Sequence, residues 1–302
     1  MATVRSIGNL SSKATCRIIG GALDLCLGGF PPVVRIETTN ACNARCTICP
    51  HRQLTRPIRQ MDDELFTRIV DECAAADCRE IHLHNFGEPL LDKQLERRVR
   101  YAKQKGIKKV KIFCNGSLIT EPRARSLIEA GLDEIKISFD GATREEFERI
   151  RVPLKFDRVV ENVKNLVALR GAMGSRMRIK AACCSTTDRE ATMRSLEKIV
   201  DSFSFARVHN WGGDNGHGPP EDHHRVRKPC SRLWRTFTIL VSGDVALCCL
   251  DYDGQHLLGR VDADTSIAEV WQRATYREVR LRHKQARQGE IRLCRNCSKS
   301  FL

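Results

Sequence analysis

Fifteen cysteines stand in a chain of 302 residues, and two groups of them are spaced for chemistry. The first is Cys42-x3-Cys46-x2-Cys49. Three thiolates on one short loop can hold three irons of a [4Fe–4S] cluster and leave the fourth iron open to a chelating substrate. A zinc site with His51 as a fourth ligand is the competing reading. The second group is Cys230, Cys248, Cys249, Cys294 and Cys297. With Cys248 as second ligand the spacing is Cys-x17-Cys-x45-Cys-x2-Cys, four thiolates able to close off one further [4Fe–4S] cluster or a zinc ribbon. In the Cys248-Cys249 doublet, adjacent residues of an extended segment point to opposite sides. Cys248 can then ligate while Cys249 is left as a packed cysteine or a free thiol beside a redox centre.

Elements that could carry these loops alternate along the chain. Strand signals lie at Val33–Glu37, Glu80–His84, Lys109–Cys114, Glu134–Phe139, Met177–Cys183 and Phe205–His209, with amphipathic helical stretches at Asp63–Cys73, Lys93–Lys105, Glu121–Ala130, Phe156–Arg170 and Arg189–Ser202. The alternation predicts an α/β fold of parallel strands and crossover helices, six units forming a sheet or an incomplete barrel. Polar and glycine residues cluster where these strands end, including Gly87-Glu88, Asn115-Gly116 and Asp140-Gly141; α/β barrels place their sites at that end. After a Gly- and Pro-rich linker, Phe237–Val241 and Val245–Leu247 read as a hairpin, and Ile267–Gln285 as a helix before the last cysteine pair. Three regions are expected: an N-terminal extension (1–30), a barrel (31–210), and a linker with a small cluster-binding domain (211–302).

The cysteine loop resembles the signature of the radical S-adenosylmethionine (SAM) superfamily, and further motifs follow in the order that family has them. Phe86-Gly87-Glu88-Pro89 resembles its GGEP motif, with Phe86 in place of the first glycine. Asn115-Gly116 and Ser138-Phe139-Asp140-Gly141 resemble its later strand-end motifs. The C-terminal cysteines resemble the twitch domain, a shortened SPASM extension. The resemblance implies a partial (β/α)6 TIM-like barrel with a small C-terminal β-hairpin plus helix iron–sulfur domain. It implies two [4Fe–4S] clusters, one held by Cys42, Cys46 and Cys49, the other by Cys230, Cys248, Cys294 and Cys297. It implies SAM as co-substrate, contacted by Gly87, Glu88, Asn115, Ser138 and Asp140, and an external electron donor of flavodoxin or ferredoxin type.

Twitch enzymes of aminoglycoside antibiotic assembly supply the expected reaction. In length and in the spare Cys249 the chain resembles the epimerase that inverts C-5''' of neomycin C to give neomycin B. Cys249 would then return hydrogen to the substrate radical. The alternative is a dehydrogenase oxidising an aminocyclitol alcohol to a ketone. A polycationic aminoglycoside needs a locally acidic site in a chain of net charge +14, and Asp214, Glu221, Asp222, Asp251 and Asp253 are the candidates. The charge reads as an Arg-rich solvated surface, because no dense basic run carries interleaved aromatics; no nucleic-acid partner is expected. The apolar stretch Ile18–Leu27 is interrupted by Asp24 and is too short to span a bilayer, so the expectation is a cytoplasmic protein with no membrane partner.

Overall fold

The computed structural model describes residues 11–197, 199–211 and 226–301. Nine strands form one sheet in the order β6-β5-β4-β3-β2-β1-β7-β8-β9. The first six, β1 (Val33–Ile36), β2 (Glu80–His82), β3 (Lys109–Cys114), β4 (Glu134–Ser138), β5 (Arg178–Cys183) and β6 (Ser202–Phe205), are parallel neighbours. They make the α/β partial barrel that the alternation predicts. Strand β3 alternates strictly. Val110, Ile112 and Cys114 of β3 are buried while Lys109, Lys111 and Phe113 between them are half-buried. The buried set meets the helices, because successive residues of a strand face opposite sides.

Helix α1 (Ser12–Leu25) precedes the sheet, and α2 (Asp63–Ala75), α3 (Leu95–Gln104) and α4 (Glu121–Glu129) each link two successive strands. Between β4 and β5 lie α5 (Arg144–Ile150) and α6 (Phe156–Ala172), and before β6 comes the short α7 (Arg189–Arg194). Helix starts are capped by the sequence: Asp62 accepts from the backbone N–H of Glu64 and Leu65, and Asp188 from that of Ala191. The last unit departs from expectation. Its helix ends at Arg194 rather than Ser202, and its strand begins at Ser202 rather than Phe205. Asp201 explains the shift: its carboxylate takes the N–H of Ile179 and the guanidinium of Arg170, which pins the chain to β5 one residue before the strand.

On the other side of β1 the sheet continues. After α8 (Arg232–Arg235), β7 (Thr236–Ile239) runs parallel to β1, and β8 (Asp244–Ala246) and β9 (Leu257–Arg260) follow antiparallel. The hairpin is the expected one, turned at Gly243 with φ +91, where a Cβ would come within 2.6 Å of the Val261 carbonyl oxygen. The expected single helix over 267–285 is instead two, α9 (Ile267–Trp271) and α10 (Ala274–Lys284). Arg280 makes the break worthwhile: its guanidinium lies 4.0 Å from the Trp271 ring centroid and donates to the Leu233 and Trp271 carbonyls. The last helix is α11 (Arg292–Arg295). The N-terminal helix packs on this end of the molecule, where Asp24 accepts from Trp234 Nε1 and pairs with Lys284. Among the described residues no helix is long and apolar enough to cross a membrane.

Candidate active site

Cys42, Cys46 and Cys49 all line one cavity of about 220 Å³, together with Gly87, Glu88, Asn115 and Ser138. The loop that carries the cysteines follows β1, and local bonds fix it. Cys49 N–H donates to the Cys46 carbonyl, and Thr47 N–H and Arg45 N–H reach the carbonyls of Ile150, the last residue of α5, and Val152 just beyond it. Opposite it, Gly87 (φ +94) lies against the loop so closely that a Cβ would stand 2.7 Å from the carbonyl oxygens of Ala41 and Thr39. The next N–H, of Glu88, donates to Ala41 O at 2.7 Å. His51 Nε2 lies 2.7 Å from the Asn40 carbonyl oxygen, so that nitrogen is engaged within the loop.

Glu88 is buried, and its two oxygens accept the N–H groups of Leu90 and Asn115. Burial pushes its carboxyl up to about 7, against the pull of those two donors. Asn115 donates to Asn43 Oδ1 and accepts from Ser117, which ties the second strand-end motif to the cysteine loop. Asp140 is placed otherwise than expected. It stands behind the lining, not on it, because its carboxylate is taken by Arg151 and by the N–H groups of Cys184 and Ser185. Arg151, which the sequence did not single out, does line the cavity and donates to Cys46 Sγ at 3.6 Å. Phe86 fills the place of the missing glycine by packing 5.3 Å from Trp211 and 5.7 Å from Tyr252, ring centre to ring centre.

The second cavity is lined by Cys230, Cys248, Cys294 and Cys297, with Leu233, Leu247 and His283 among its other walls. Cys249 is not part of that lining. It lies against Arg35 of β1 and Arg232, whose charges pull its thiol down although burial pushes it up. The doublet is therefore divided, although Cys248 and Cys249 lie in a turn after β8, where the Asp251 N–H donates to the Cys248 carbonyl, and not in the extended segment expected. Of the acidic candidates, Asp253 binds Thr55 N–H and Oγ1 at 2.7 Å, and buried Asp251 accepts from Gln255 and His256 N–H. Both serve loop structure rather than an open acidic site; Asp214, Glu221 and Asp222 lie outside the described residues.

Both cavities suit cluster ligation. The Cys42 thiol is raised to about 12 and the Cys49 thiol to about 11, chiefly by burial. Metal binding at such thiols is coupled to release of their protons. Arg151 and Arg232 supply positive charge beside each cysteine set, as thiolates require. Among the described residues no three His, Cys, Asp or Glu side chains converge on a single ion.

Comparison with known proteins agrees with this layout. Residues 36–177 match the radical SAM superfamily, and residues 230–298 match SPASM, an iron–sulfur cluster-binding domain. The chain is 35% identical over 136 residues to the GTP 3',8-cyclase of Chlorobaculum tepidum, which is 45% of this chain but only 41% of that one. It is 22% identical over 271 residues to the S-adenosyl-L-methionine-dependent 2-deoxy-scyllo-inosamine dehydrogenase of Niallia circulans, covering 88% of this chain and 92% of the other. Among solved structures it resembles BtrN in complex with AdoMet and 2-DOIA (TM-score 0.62, 20% identity, 88% and 92% covered). It also resembles Streptococcus suis SuiB bound to precursor peptide SuiA (TM-score 0.68, 14% identity, 86% and 69% covered). The cysteine loop at the mouth of the parallel partial barrel thus lies in the segment that matches the radical SAM superfamily, and the second cysteine set in the segment that matches the SPASM iron–sulfur cluster-binding domain.

Proposed function

We propose that the chain is a radical SAM oxidoreductase that oxidises an alcohol carbon of a small cyclitol or sugar to a ketone. One observation carries the reading: both cysteine sets are built out from one strand. The Cys42 loop leaves the end of β1, while β7, hydrogen-bonded to the other edge of β1, leads through β8 to Cys248. A substrate radical at the barrel mouth then has an electron acceptor fixed beside it. Likeness across nearly the whole length of an aminocyclitol dehydrogenase supports the same chemistry.

In this reading Cys42, Cys46 and Cys49 hold the SAM-cleaving [4Fe–4S] cluster, and Cys230, Cys248, Cys294 and Cys297 hold the auxiliary one. When bound, the clusters and SAM supply a 5'-deoxyadenosyl radical and an acceptor for the electron it leaves on the substrate. The chain's own residues do the rest. Glu88, fixed by two backbone donors, presents its remaining lone pairs to the SAM ammonium, and Gly87 lets the backbone approach it. Asn115 and Ser138 offer hydrogen bonds to the rest of SAM. Asp140 positions Arg151 against the cysteine loop. His84 lines the cavity with a buried, unpartnered Nδ1 and is held neutral by burial and by the Arg35 charge, so it can accept the hydroxyl proton of the alcohol. A flavodoxin- or ferredoxin-type protein delivers the starting electron.

The epimerase reading rests on a specific observation of its own: Cys249 is outside the auxiliary cavity and against Arg35 on the barrel side. Its thiol would return hydrogen to the opposite face of a sugar carbon, as in conversion of neomycin C to neomycin B. Turnover in D2O with 2-deoxy-scyllo-inosamine and with neomycin C separates the two. A ketone without solvent deuterium, formed also by Cys249→Ala, is the expected result. An inverted alcohol carrying one deuterium, lost in Cys249→Ala, overturns the dehydrogenase.

A further inference from the structure

The inner wall of the barrel carries a row of charges of which the chemistry above uses only Arg35. Arg35, His82, Lys111 and Glu134 stand level across β1 to β4. Lys136 stands level with Phe113 and Lys180, and Glu80 with Lys109. Phe113 and Ser138 on the same face line the mouth cavity, so Lys136, level with the first and two residues before the second, lies directly beneath it. Five cations thus face two carboxylates.

The carboxylates are already taken. Glu80 pairs with Lys111 at 2.7 Å and Lys109 at 3.4 Å and binds His82 at 2.8 Å. Glu134 pairs with Lys180 at 2.9 Å and Lys109 at 3.3 Å. Lys136 is left with no carboxylate partner among the described residues, its Nζ 5.5 Å from the Phe113 ring centroid. Burial and the neighbouring Lys111 charge pull its ammonium down, offset only in part by Glu134, which is already paired with Lys180 and Lys109. Further donors of the same region are unsatisfied: Arg35 Nε and Asn85 Nδ2 are buried without partners. A half-buried wall whose carboxylates are both paired and whose cations outnumber them is complementary to an anion and hostile to a polycation.

We propose that the substrate carries a phosphate or carboxylate group that is anchored by Lys136 on the inner wall, in contrast to a polycationic aminoglycoside. The inference rests on the barrel mouth being the substrate site of the oxidoreductase reading, but its test does not require turnover. Calorimetric titration of the reconstituted, SAM-loaded protein compares glucose, glucose 6-phosphate, glucuronate and neomycin C. At least one anionic probe binds about 10-fold or more tighter than glucose, and the better of the two identifies the anion. Lys136→Gln removes that preference, Lys136→Arg retains it, and raising the salt weakens it. If neither anion outbinds glucose, if neomycin C binds more tightly than both, or if Lys136→Gln leaves the preference intact with an unchanged melting temperature, the proposal is overturned. Formation of 5'-deoxyadenosine in the same samples reports separately on the radical chemistry. Its loss with anion binding retained defeats the oxidoreductase reading and leaves the anion site standing.

Discussion

Arg56 is the residue whose loss should be felt farthest from its position. Its two Nη atoms each lie 2.8 Å from an oxygen of Glu37, and its Nε and Nη2 donate to the Tyr252 carbonyl. Glu37 directly follows β1, has no exposed side-chain surface, and also accepts the N–H of Val241 at 2.9 Å. One guanidinium thus clamps the cysteine loop of the barrel to the loop that follows Cys249. Arg56→Met leaves the Glu37 carboxylate buried with one donor, a change that costs about 3–5 kcal/mol. At roughly 2.1 cal/mol/K per residue, 302 residues unfold with an entropy near 0.6 kcal/mol/K, so the melting temperature should fall by about 5–8 °C. Differential scanning calorimetry of the reconstituted protein measures it, with Arg56→Met/Glu37→Gln as the second arm. Gln keeps an acceptor for Val241 and removes the stranded charge, so the double variant should recover at least half of the loss. A drop below about 1 kcal/mol, the range of exposed ion pairs, would refute the reasoning. So would a double variant no better than the single one.

Three further outcomes follow from the site. Alanine at Cys42, Cys46 or Cys49 should abolish 5'-deoxyadenosine formation and roughly halve the iron bound, four irons of an expected eight; normal SAM cleavage in any of them removes the assignment. Cys248→Ala should lose the auxiliary iron while Cys249→Ala keeps it, since only Cys248 lines the second cavity, and the reverse pattern of iron content means the doublet is read the wrong way round. Glu88 gives a pH effect in the SAM-free protein. Its folded value of about 7 lies above the ordinary 4.5, so the stability it contributes is fully present below about pH 4.5 and is lost as pH rises through about 7, up to about 3 kcal/mol. Glu88→Gln should flatten that slope in urea midpoints, and a wild-type slope unchanged by the substitution would rule the attribution out.

How much of this was written in the sequence depends on how local each feature is. The Cys42 loop and the Gly87-Glu88 turn are contiguous segments at strand ends, so spacing brought out the first and resemblance to a family motif the second. β3 and β4 read correctly because Lys109–Cys114 and Glu134–Ser138 alternate with period two. That alternation also held a signal left unused: lysines at every second position of a central parallel strand must face something, and here it is the barrel interior. Arg151 and Arg56 were invisible for a different reason. Each is one arginine among many, and its meaning lies in partners far along the chain, Cys46 for the first and Tyr252 for the second. The break between α9 and α10 has no Pro or Gly to announce it; Arg280 stacking on Trp271 imposes it from the tertiary structure.

The position of β1 also bears on how the two cysteine sets communicate. It is not an edge strand but lies between β2 and β7, with strands continuing on both sides. In the proposed reading, metal release at either cysteine set would loosen the sheet near its middle, where β1 shares backbone hydrogen bonds with both halves. Glu37 and the Cys42 loop extend that strand, and the Arg56 clamp closes it against Tyr252, four residues beyond Cys248. Electron transfer between a substrate radical and a neighbouring acceptor depends on their separation staying fixed, and a shared strand with a buried ion pair at its end fixes it better than a linker would. The same arrangement makes the two sites thermodynamically one unit, so loss of the auxiliary cysteines should lower the stability of the barrel as well as that of the C-terminal strands.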